Sequence, residues 1–523
     1  MNSAETPPKP EPALVREKAH DNPPATPGCL LPEPLQAAGI VIFGASGDLA
    51  WRKLVPALFN LYDSGHLPDQ FFILGVSRTN WDDREFRGQM QDAVTRHCDT
   101  QSGKCSDFLS HLYYHRLEYD QPEDYKALAT LLKHLGQKTG AKDNLLFNLA
   151  LPPSLPPVVS RKLAQAGLSQ PGPNHQGWIR VVVEKPFGHD LESSRYLNQT
   201  MAQAFSEDQI FRVDHYLAKE TVQNIIMFRF ANAIFEPIWN RNFVDKVVII
   251  ASEKLGVGHR AGYYEGTGVL RDMFQNHMLQ LLSLTAMEPP SMWAADRVRD
   301  EKTKVFRSLR PFTSQAVDQH LLLGQYGAGK EIKGYRQESG VAQTSLTPTF
   351  AMLKVYVDNW RWQGVPFYLV SGKRMAQKVT RMVIFFRQVP HSMFRQVLGQ
   401  DITQNRLFLN IHPEEAISLS FQTKGPGPVL CLRTVRMVFD YAVDPSGLSL
   451  GAYEKALLDC MQGEQMLFWR QDGVELCWSF LEPVLNRCES CGDRASRLHT
   501  YTPGSWGPEE VKTILPDWPE PAL

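Results

Sequence analysis

The sequence lacks any excess of charge: its 523 residues include 55 Lys and Arg and 56 Asp and Glu, a formal net charge of -1. Such a balanced chain has no general electrostatic attraction to nucleic acid or to an anionic membrane surface. It also lacks an apolar run of about 20 residues, the length of a membrane-spanning helix. We therefore expect neither nucleic acid nor a membrane as a partner.

Cysteine is scarce as well. The eight cysteines are scattered along the chain, and Cys488 and Cys491 form the one close pair. A zinc site usually needs a second such pair, so we expect no metal centre. Two free thiols are the favoured interpretation of this pair, and a redox-labile disulfide is the alternative. Scattered cysteines are typical of a reducing compartment, which favours a cytoplasmic location.

The N-terminal residues lack the apolar core of a signal peptide. Residues 1–36 are rich in Pro, Glu and Ala, which predicts a disordered tail. The remaining length suffices for two or three domains, and no internal repeat is present. We place the first domain at 37–212, the second at 213–515 and a C-terminal tail at 516–523.

The most informative motif is a glycine-rich turn. Residues 39–43 are an apolar run, and G-A-S-G-D-L-A follows at 44–50. An amphipathic helix is predicted directly afterwards, with Leu54, Leu58 and Leu61 on one face and Gly65 at its end. A turn of this kind lets backbone N–H groups at a helix N-terminus approach a pyrophosphate. Short Gly-rich turns after strands are common, so this motif alone is a moderate signal.

Apolar strands alternate with helices as far as residue 212. Besides the first run, strands are predicted at 71–76, 112–117, 145–151 and 178–183, and a polar helix at 82–97. Nearly continuous apolar strands separated by helices favour a parallel sheet covered on both faces.

From about residue 213 the pattern changes to strands with hairpin spacing. Strands are predicted at 247–250, 351–357, 382–386, 406–411, 416–421 and 437–441, and helices at 219–228, 270–286 and 452–461. This pattern predicts an α+β domain built on a large antiparallel sheet.

Arg78 lies just past the second predicted strand, where a dinucleotide fold meets the adenosine ribose. An acid at this place suits the 2′-hydroxyl of NAD, and an arginine suits the 2′-phosphate of NADP. The nearest acid, Asp82, comes later in the chain. Position alone does not decide between a phosphate ligand and a solvated loop arginine.

Lys185 follows the fifth predicted strand within E-K-P-F-G at 184–188. The carboxyl edge of a parallel sheet borders the ligand-binding cleft, and a lysine at this edge can bond both a cofactor and sugar hydroxyls. The alternative is an exposed charge at the end of a strand, stopped by a proline.

The densest polar cluster is R-V-D-H-Y-L-A-K-E at 212–220. Its donors His215, Tyr216 and Lys219 suit a dianionic phosphate, which needs several convergent donors. His215 and Lys219 would share a face if a helix begins here. The alternative is a polar helix start capped by Asp214.

A second polar cluster, R-D-M-F-Q-N-H-M at 271–278, interrupts an otherwise apolar helix. His277 shares a stripe with Met273 and Leu281, so its side chain is predicted to face the interior. A lone histidine there is usually a satisfied core residue. Here Asp272, with the neighbouring amides, makes the helix costly to bury unless these groups line a site.

Through these motifs the sequence, from about residue 37 to residue 515, resembles the glucose-6-phosphate dehydrogenases. The matching motifs are G-A-S-G-D-L-A at 44–50 with Lys53, S-R-T at 77–79, L-A-L-P-P at 149–153, E-K-P-F-G at 184–188, R-V-D-H-Y-L-A-K-E at 212–220, F-A-N-A-I-F-E-P-I-W-N-R at 230–241, R-D-M-F-Q-N-H at 271–277, S-G-K-R-M-A-Q-K at 371–378 and Y-T-P-G-S-W-G-P at 501–508.

The resemblance implies a doubly wound parallel (Rossmann) domain followed by an α+β domain with a large, mainly antiparallel sheet. It implies oxidation of D-glucose 6-phosphate to 6-phospho-D-glucono-1,5-lactone with NADP, the first step of the pentose phosphate pathway, which generates NADPH. NAD is the weaker alternative cofactor. A homodimer or homotetramer is expected.

The resemblance also assigns roles. His277 is the general base and Asp214 orients it. The phosphate is held by His215, Tyr216 and Lys219, and the sugar by Glu253, Asp272, Lys373 and Lys378. The cofactor-binding residues it implies are Gly44, Ala45, Ser46, Gly47, Asp48, Leu49, Lys53, Arg78 and Lys185, the last reaching the substrate as well.

Some positions depart from the family pattern. Ala218 stands where the family usually has glycine, Trp51 where it usually has lysine, and 258–266 reads G-H-R-A-G-Y-Y-E-G. None of these removes the base or a phosphate ligand, so they bear on affinity rather than on the reaction. The sequence does not decide whether the second, structural NADP site of some members is present.

Two other functions share some of these sequence features. An oxidoreductase of the glucose–fructose type also pairs a Rossmann domain with Glu-Lys-Pro and a catalytic histidine, but would not need the phosphate cluster or Lys373 and Lys378. A non-catalytic sensor of NADP or sugar phosphate would have lost the base or its carboxylate, and both Asp214 and His277 are present.

Overall fold

The structure is a computed structural model. It describes residues 34–96, 103–141, 143–171, 177–214, 216–395, 402–440, 450–489 and 492–519. Residues 1–33 of the predicted tail lie outside these ranges, as do His215 and Cys491. Cys488 lies inside them as a buried free thiol.

The first part of the chain forms a six-stranded, all-parallel sheet with strand order β3-β2-β1-β4-β5-β6. The predicted parallel sheet is therefore confirmed. The short sixth strand was not predicted, since its three residues run directly into the polar cluster. The strands are β1 Ala38–Phe43, β2 Phe71–Ser77, β3 Leu112–Arg116, β4 Leu145–Leu149, β5 Ile179–Val183 and β6 Ile210–Arg212.

Helices cover both faces of this sheet. Val41 and Phe43 of β1 belong to one apolar cluster, while Ile40 and Ile42 belong to another, so each face of the strand is buried against its own layer. Burial on both faces explains the unbroken apolar strands. The helices are α1 Val55–Asp63, which a π-helical turn at Ala50–Leu54 precedes, α2 Asp83–Thr95, α3 Lys104–Ser110, α4 Pro122–Thr139, α5 Pro156–Gln165 and α6 Leu191–Ala204.

The second part forms a nine-stranded sheet in the order β14-β13-β12-β11-β7-β10-β9-β8-β15. The pairs β7–β10 and β8–β15 are parallel and the others antiparallel, which confirms a large, mainly antiparallel sheet. The strands are β7 Val244–Ser252, β8 Leu321–Tyr326, β9 Phe350–Tyr356, β10 Pro366–Gly372, β11 Val379–Phe386, β12 Arg406–His412, β13 Ala416–Lys424, β14 Leu432–Asp440 and β15 Leu498–Tyr501.

One predicted helix has a different geometry. The helix expected over 270–286 is π-helical at Leu270–Met278 and α-helical only at Leu279–Ala286. A π-helix bonds each residue to the fifth along the chain, so residues five apart come together. The helices here are α7 Glu220–Phe230, α8 Ala261–Glu265, α9 Leu279–Ala286, α10 Ala295–Arg307, α11 Ser314–His320, α12 Ala452–Gln462, α13 Gln471–Glu489 and α14 Val511–Ile514.

The C-terminal part of the chain returns to the first sheet. Helix α12 packs against α1, and α13 packs against α6 and the π-helix. The Arg180 guanidinium donates to the carbonyl of Cys460 (3.0 Å), and the Trp478 indole donates to that of Phe187 (2.9 Å). The loop after β5 is thus fixed from the far end of the sequence.

Among the described residues, no helix has both the length and the apolar character that crossing a membrane requires.

Candidate active site

The glycine-rich turn lies where the strand order reverses, between β2 and β4. Gly44 has φ +80°, and a Cβ there would lie 2.2 Å from the Ala150 carbonyl oxygen, so only glycine fits. Its N–H donates to the Val76 carbonyl (2.8 Å). The first backbone N–H groups of any helix have no partner within the helix, and at the start of the helix that follows such groups suit a pyrophosphate.

The predicted cofactor residues lie together around this turn. Ser46, Gly47, Asp48 and Lys53 are exposed, whereas Ala45 is buried beneath them. The Ser77 and Thr79 hydroxyls donate to the Ser46 hydroxyl at 3.0 and 2.9 Å, which fastens the turn to the end of β2.

Arg78 follows β2 at the edge of the same cleft. Its side chain is exposed, and the guanidinium lies 5.7 Å from the ring centroid of Tyr119. A cation held over an aromatic ring has few conformations to lose on binding a ligand. Because the next residue, Thr79, bonds Ser46, Arg78 lies beside the glycine-rich turn.

Asp214 and His277 form a buried pair. Nδ1 of His277 donates to Oδ1 of Asp214 at 2.5 Å, and each side chain is only 1% exposed. Asp214 follows β6 at the carboxyl edge of the parallel sheet, while His277 comes from the π-helix. The Tyr216 ring stacks on the imidazole with centroids 4.0 Å apart.

Lys185 approaches the other imidazole nitrogen. Its Nζ lies 2.9 Å from His277 Nε2 and 3.4 Å from Asp272 Oδ1. Asp272 and His277 are five residues apart, so the π-helical turn is what brings them to one lysine. With Nδ1 bonded to a carboxylate and Nε2 accepting from an ammonium group, the neutral imidazole carries its proton on Nδ1.

The surroundings keep this imidazole neutral. Burial lowers the pKa of His277 below its ordinary value; Asp214 opposes this shift and Lys185 adds to it. Burial would raise the pKa of Asp272, but Lys185 and Lys373 outweigh it and lower the value to about 2. At neutral pH the site thus holds a neutral base between ionised carboxylates and ammonium groups.

A second group of charges adjoins the pair. Lys373, between β10 and β11, forms an ion pair with Glu253, which follows β7, and lies 3.7 Å from Asp272 Oδ2. The Lys373 ammonium also sits 5.0 Å from the ring centroid of Tyr264, a buried residue of α8. Polar groups of both signs so arranged can hold a polyhydroxylated ring.

Lys219 and Lys378 are near enough to one another for their charges to interact. Lys219 is half-buried, with its ammonium 5.2 Å from the Tyr216 ring centroid, whereas Lys378 is exposed. Burial lowers the pKa of Lys219, Glu415 opposes the shift, and Lys378 adds to it. Two neighbouring cations of this kind would suit a multivalent anion. His215 lies outside the described residues.

His412 joins these lysines and was not predicted. Burial, Lys378 and Lys219 each lower its pKa. Thr380 of β11 pairs with His412 of β12, which carries the histidine to the strand that begins beside Lys378. No local motif marks it, because only the pairing of distant strands brings it here.

Glu184 is a second residue that sequence reasoning missed. Burial raises its pKa to about 7, with Tyr453 and Lys185 opposing. The Tyr453 hydroxyl of α12 donates to its carboxylate at 3.5 Å. Glu184, directly before Lys185, is therefore bonded by α12, which comes from the C-terminal part of the chain.

Two of the three departures from the family pattern, Ala218 and Trp51, pack against apolar neighbours. Ala218 is buried in the apolar cluster beneath α1 and has no left-handed backbone. Trp51 packs against the same cluster, and the Arg96 guanidinium lies 4.6 Å from its ring centroid.

Sequence comparison places the chain among known proteins. The family model described as "Glucose-6-phosphate dehydrogenase, NAD binding domain" matches residues 41–224, and that of the "C-terminal domain" matches residues 226–518. Together these two matches span nearly all of the folded chain.

Individual relatives agree. The glucose-6-phosphate 1-dehydrogenase of Aggregatibacter actinomycetemcomitans is 44% identical over 91% of this chain and 95% of its own length. The glucose-6-phosphate 1-dehydrogenase of Treponema pallidum is 42% identical over 92% of this chain and 95% of its own length. A solved structure described as glucose-6-phosphate dehydrogenase in complex with its substrate glucose-6-phosphate has a TM-score of 0.85 at 34% identity, covering 92% of this chain and 97% of that one.

Proposed function

The chain belongs to the glucose-6-phosphate dehydrogenase family, and we propose that it oxidises D-glucose 6-phosphate to 6-phospho-D-glucono-1,5-lactone with His277 as the general base. The observation that carries this proposal is the imidazole held between Asp214 and Lys185, with Lys219 over the Tyr216 ring that stacks on it. The reaction is the first step of the pentose phosphate pathway.

The residues fit a nicotinamide dinucleotide. The left-handed Gly44 lets the turn pack closely against Ala150, and exposed Ser46 and Gly47 line the turn, where backbone N–H groups could approach a phosphate. Arg78 follows β2, and its exposed guanidinium could bond the 2′-phosphate of NADP bidentately. We therefore propose NADP as the preferred cofactor. When bound, it accepts the hydride that leaves C1 of the sugar.

His277 removes the proton from the C1 hydroxyl. Its Nε2 lone pair is the accepting atom, because Nδ1 already holds a proton bonded to Asp214. Asp214 fixes this tautomer and stabilises the imidazolium that forms. Lys185 contacts Nε2 in this structure, and the C1 hydroxyl of the substrate would replace it there. The Lys185 ammonium can then donate to the C1 oxygen, whose electron density rises as the proton leaves.

The other residues position the sugar phosphate. Glu253, Asp272 and Lys373 can bond the sugar hydroxyls, since carboxylates accept and the ammonium donates. Tyr216, Lys219 and Lys378 face the end where the cations crowd, which suits the phosphate. The role of His215 in holding the phosphate stays a prediction. This cation cluster supports a phosphorylated substrate over the unphosphorylated sugar of a glucose–fructose type enzyme.

The decisive experiment follows nicotinamide reduction by absorbance with glucose 6-phosphate and with glucose, each with NADP and with NAD. We expect rapid reduction with glucose 6-phosphate and NADP. His277→Asn is the matched control, because it keeps the size of the side chain and removes the base. Equal activity on glucose and glucose 6-phosphate would contradict the proposal.

We also propose that the protein is a homodimer or homotetramer. Strand β14 lies at the edge of the nine-stranded sheet, and Met437 and Phe439 on it are 60% and 61% exposed. Exposed apolar residues on an edge strand favour association with another copy. Light scattering after gel filtration measures the mass, and a monomer at micromolar concentration would contradict this.

A cytoplasmic location is proposed from the scattered cysteines alone. Cell fractionation with an antibody against the chain tests it.

A further inference from the structure

The motif Y-T-P-G-S-W-G-P at 501–508 has no part in the proposed reaction. It starts at the last residue of β15, which pairs in parallel with β8 at the edge of the nine-stranded sheet. The motif nevertheless contacts the loop between β10 and β11, which carries Lys373. Three hydrogen bonds join the two segments, and on the side of the motif they involve Tyr501, Gly504 and Ser505.

The Tyr501 hydroxyl bonds the backbone of Lys373 itself. The tyrosine is 3% exposed, and its hydroxyl donates to the Lys373 carbonyl at 2.6 Å. The hydroxyl of buried Thr349 lies 3.1 Å from the Tyr501 hydroxyl and can donate to it. The N–H of Lys373 in turn donates to the Thr349 carbonyl (2.9 Å). The peptide groups on both sides of Lys373 are therefore fixed by buried partners.

The next residue of the loop, Arg374, has a strained backbone. Its φ is +53°, and in the described part of the chain no other residue except glycine has a positive φ. A left-handed backbone is unfavourable for a residue with a Cβ and persists only where the surrounding contacts hold it. Here the N–H of Gly504 donates to the Arg374 carbonyl (2.7 Å), and the N–H of Ala376 donates to the Ser505 carbonyl (2.8 Å). The C-terminal motif thus stabilises a loop conformation that is unfavourable by itself.

In this conformation the Lys373 ammonium lies in the candidate active site. The side chain is 13% exposed, forms the ion pair with Glu253 and lies 3.7 Å from Asp272 Oδ2. The N–H of Glu253 donates to the Gly372 carbonyl (2.8 Å), and the N–H of Met375 donates to the Glu253 carbonyl (2.9 Å). Lys373 and Glu253, which are proposed to hold the sugar, therefore share one backbone network.

We propose that Tyr501 is a positioning residue that acts through Lys373: its hydroxyl holds the Lys373 carbonyl and so keeps the ammonium beside Asp272, where it meets the sugar hydroxyls. This proposal rests on the proposed function, in which Lys373 binds the sugar. Tyr501 touches neither substrate nor cofactor in this scheme. Because it bonds the backbone of Lys373, it fixes the place of the ammonium and leaves its charge unchanged.

Tyr501→Phe tests this, because it removes one oxygen atom and keeps the ring. The Lys373 carbonyl then loses a partner, and the ammonium is held less firmly. We expect the KM and the Kd for glucose 6-phosphate to rise by about three- to tenfold, the usual range for one hydrogen bond. Both kcat and the KM for NADP should stay within about twofold, since neither His277 nor the glycine-rich turn is altered.

Tyr335→Phe is the matched control. Tyr335 is buried in the same apolar cluster as Tyr501, but its hydroxyl donates to Glu265 at 2.7 Å. Its loss should lower the melting temperature by a similar amount and leave the KM for glucose 6-phosphate in place. A purely structural role of Tyr501 would make the two variants behave alike.

A double-mutant cycle with Lys373→Ala shows whether Tyr501 acts through the lysine. Once the ammonium is gone, Tyr501→Phe should weaken glucose 6-phosphate binding no further, so the two effects should not add. Titration calorimetry with glucose 6-phosphate measures the Kd of the wild type, both single variants and the double variant without turnover. If Tyr501→Phe does not accumulate as folded protein, Thr349→Val loosens the same hydroxyl and carries the same expectation.

The proposal is overturned if Tyr501→Phe binds glucose 6-phosphate as tightly as the wild type, or if its full effect persists in Lys373→Ala. A wild type that neither binds nor oxidises glucose 6-phosphate would refute the proposed function and this inference with it. A wild type that does both, with an unchanged Tyr501→Phe, would refute the role of Tyr501 alone.

Discussion

Removal of Lys219 offers a quantitative test of the phosphate end of the site. Lys219 is half-buried, lies over the Tyr216 ring and is crowded by Lys378. A charge-assisted hydrogen bond from such a group to a phosphate contributes about 1.5–3 kcal/mol. Lys219→Ala should therefore lower kcat/KM for glucose 6-phosphate by about 10- to 150-fold, since 1.4 kcal/mol is tenfold.

Lys378 provides an internal comparison. It faces the same anion site but is exposed, so solvent and salt screen its charge. Lys378→Ala should cost less than about tenfold, and its effect should shrink further in high salt. Initial rates for both variants are measured against glucose 6-phosphate and against glucose at saturating NADP.

Comparing glucose 6-phosphate with glucose distinguishes phosphate binding by Lys219 from a role in the fold or in sugar binding. If Lys219 binds the phosphate, the slow oxidation of glucose should change little in Lys219→Ala. Lys254→Ala removes an exposed lysine outside this cluster and should leave both substrates unaffected. Equal losses on glucose and glucose 6-phosphate would refute the reasoning and assign Lys219 to the fold or to the sugar.

Further predictions concern the base and the cofactor. His277→Asn should lower kcat by several orders of magnitude with little change in substrate affinity, and near-normal turnover in a stopped-flow or steady-state assay would rule it out as the base. Asp214→Asn should also damage kcat, because an amide can no longer fix the Nδ1 tautomer. Since burial lowers the pKa of His277, kcat/KM should stay high as the pH falls to about 6.5 and drop only at lower pH. A decrease of kcat/KM that already begins above pH 6.5 would contradict a buried base that is neutral at that pH. Arg78→Ala should weaken NADP far more than NAD, and an unchanged ratio of kcat/KM for the two cofactors would show that selectivity lies elsewhere.

Much of the fold follows from local patterns. The glycine-rich turn predicts its own geometry because Gly44 needs the left-handed region that other residues avoid. The inner strands of the first sheet, such as β1, β2 and β4, are buried on both faces, so their apolar runs are easily recognised. Strand β15 has only four residues, and β8 is interrupted by Gly324, so neither gave a periodic signal.

The site itself was predictable only in pieces. The motifs around Asp214 and His277 are visible in the sequence, but their contact is not, because it depends on how β6 and the π-helix meet. An α-helical reading of 270–286 separates Asp272 from His277, and only the π-helix brings them to Lys185. His412 and Tyr453 carry no motif, since long-range packing alone places them beside Lys378 and Glu184.

The contacts that tie Arg180 to Cys460 and Trp478 to Phe187 have a consequence for synthesis. A ribosome releases the glycine-rich turn and Lys185 long before it makes α12 and α13. Until those helices emerge, the apolar surfaces of α1 and α6 that they cover stay open to water and to other nascent chains. The nucleotide-binding domain of this protein therefore completes its packing only after the C-terminal helices have been made. A deletion near the C-terminus would expose the surfaces of this N-terminal domain that those helices cover.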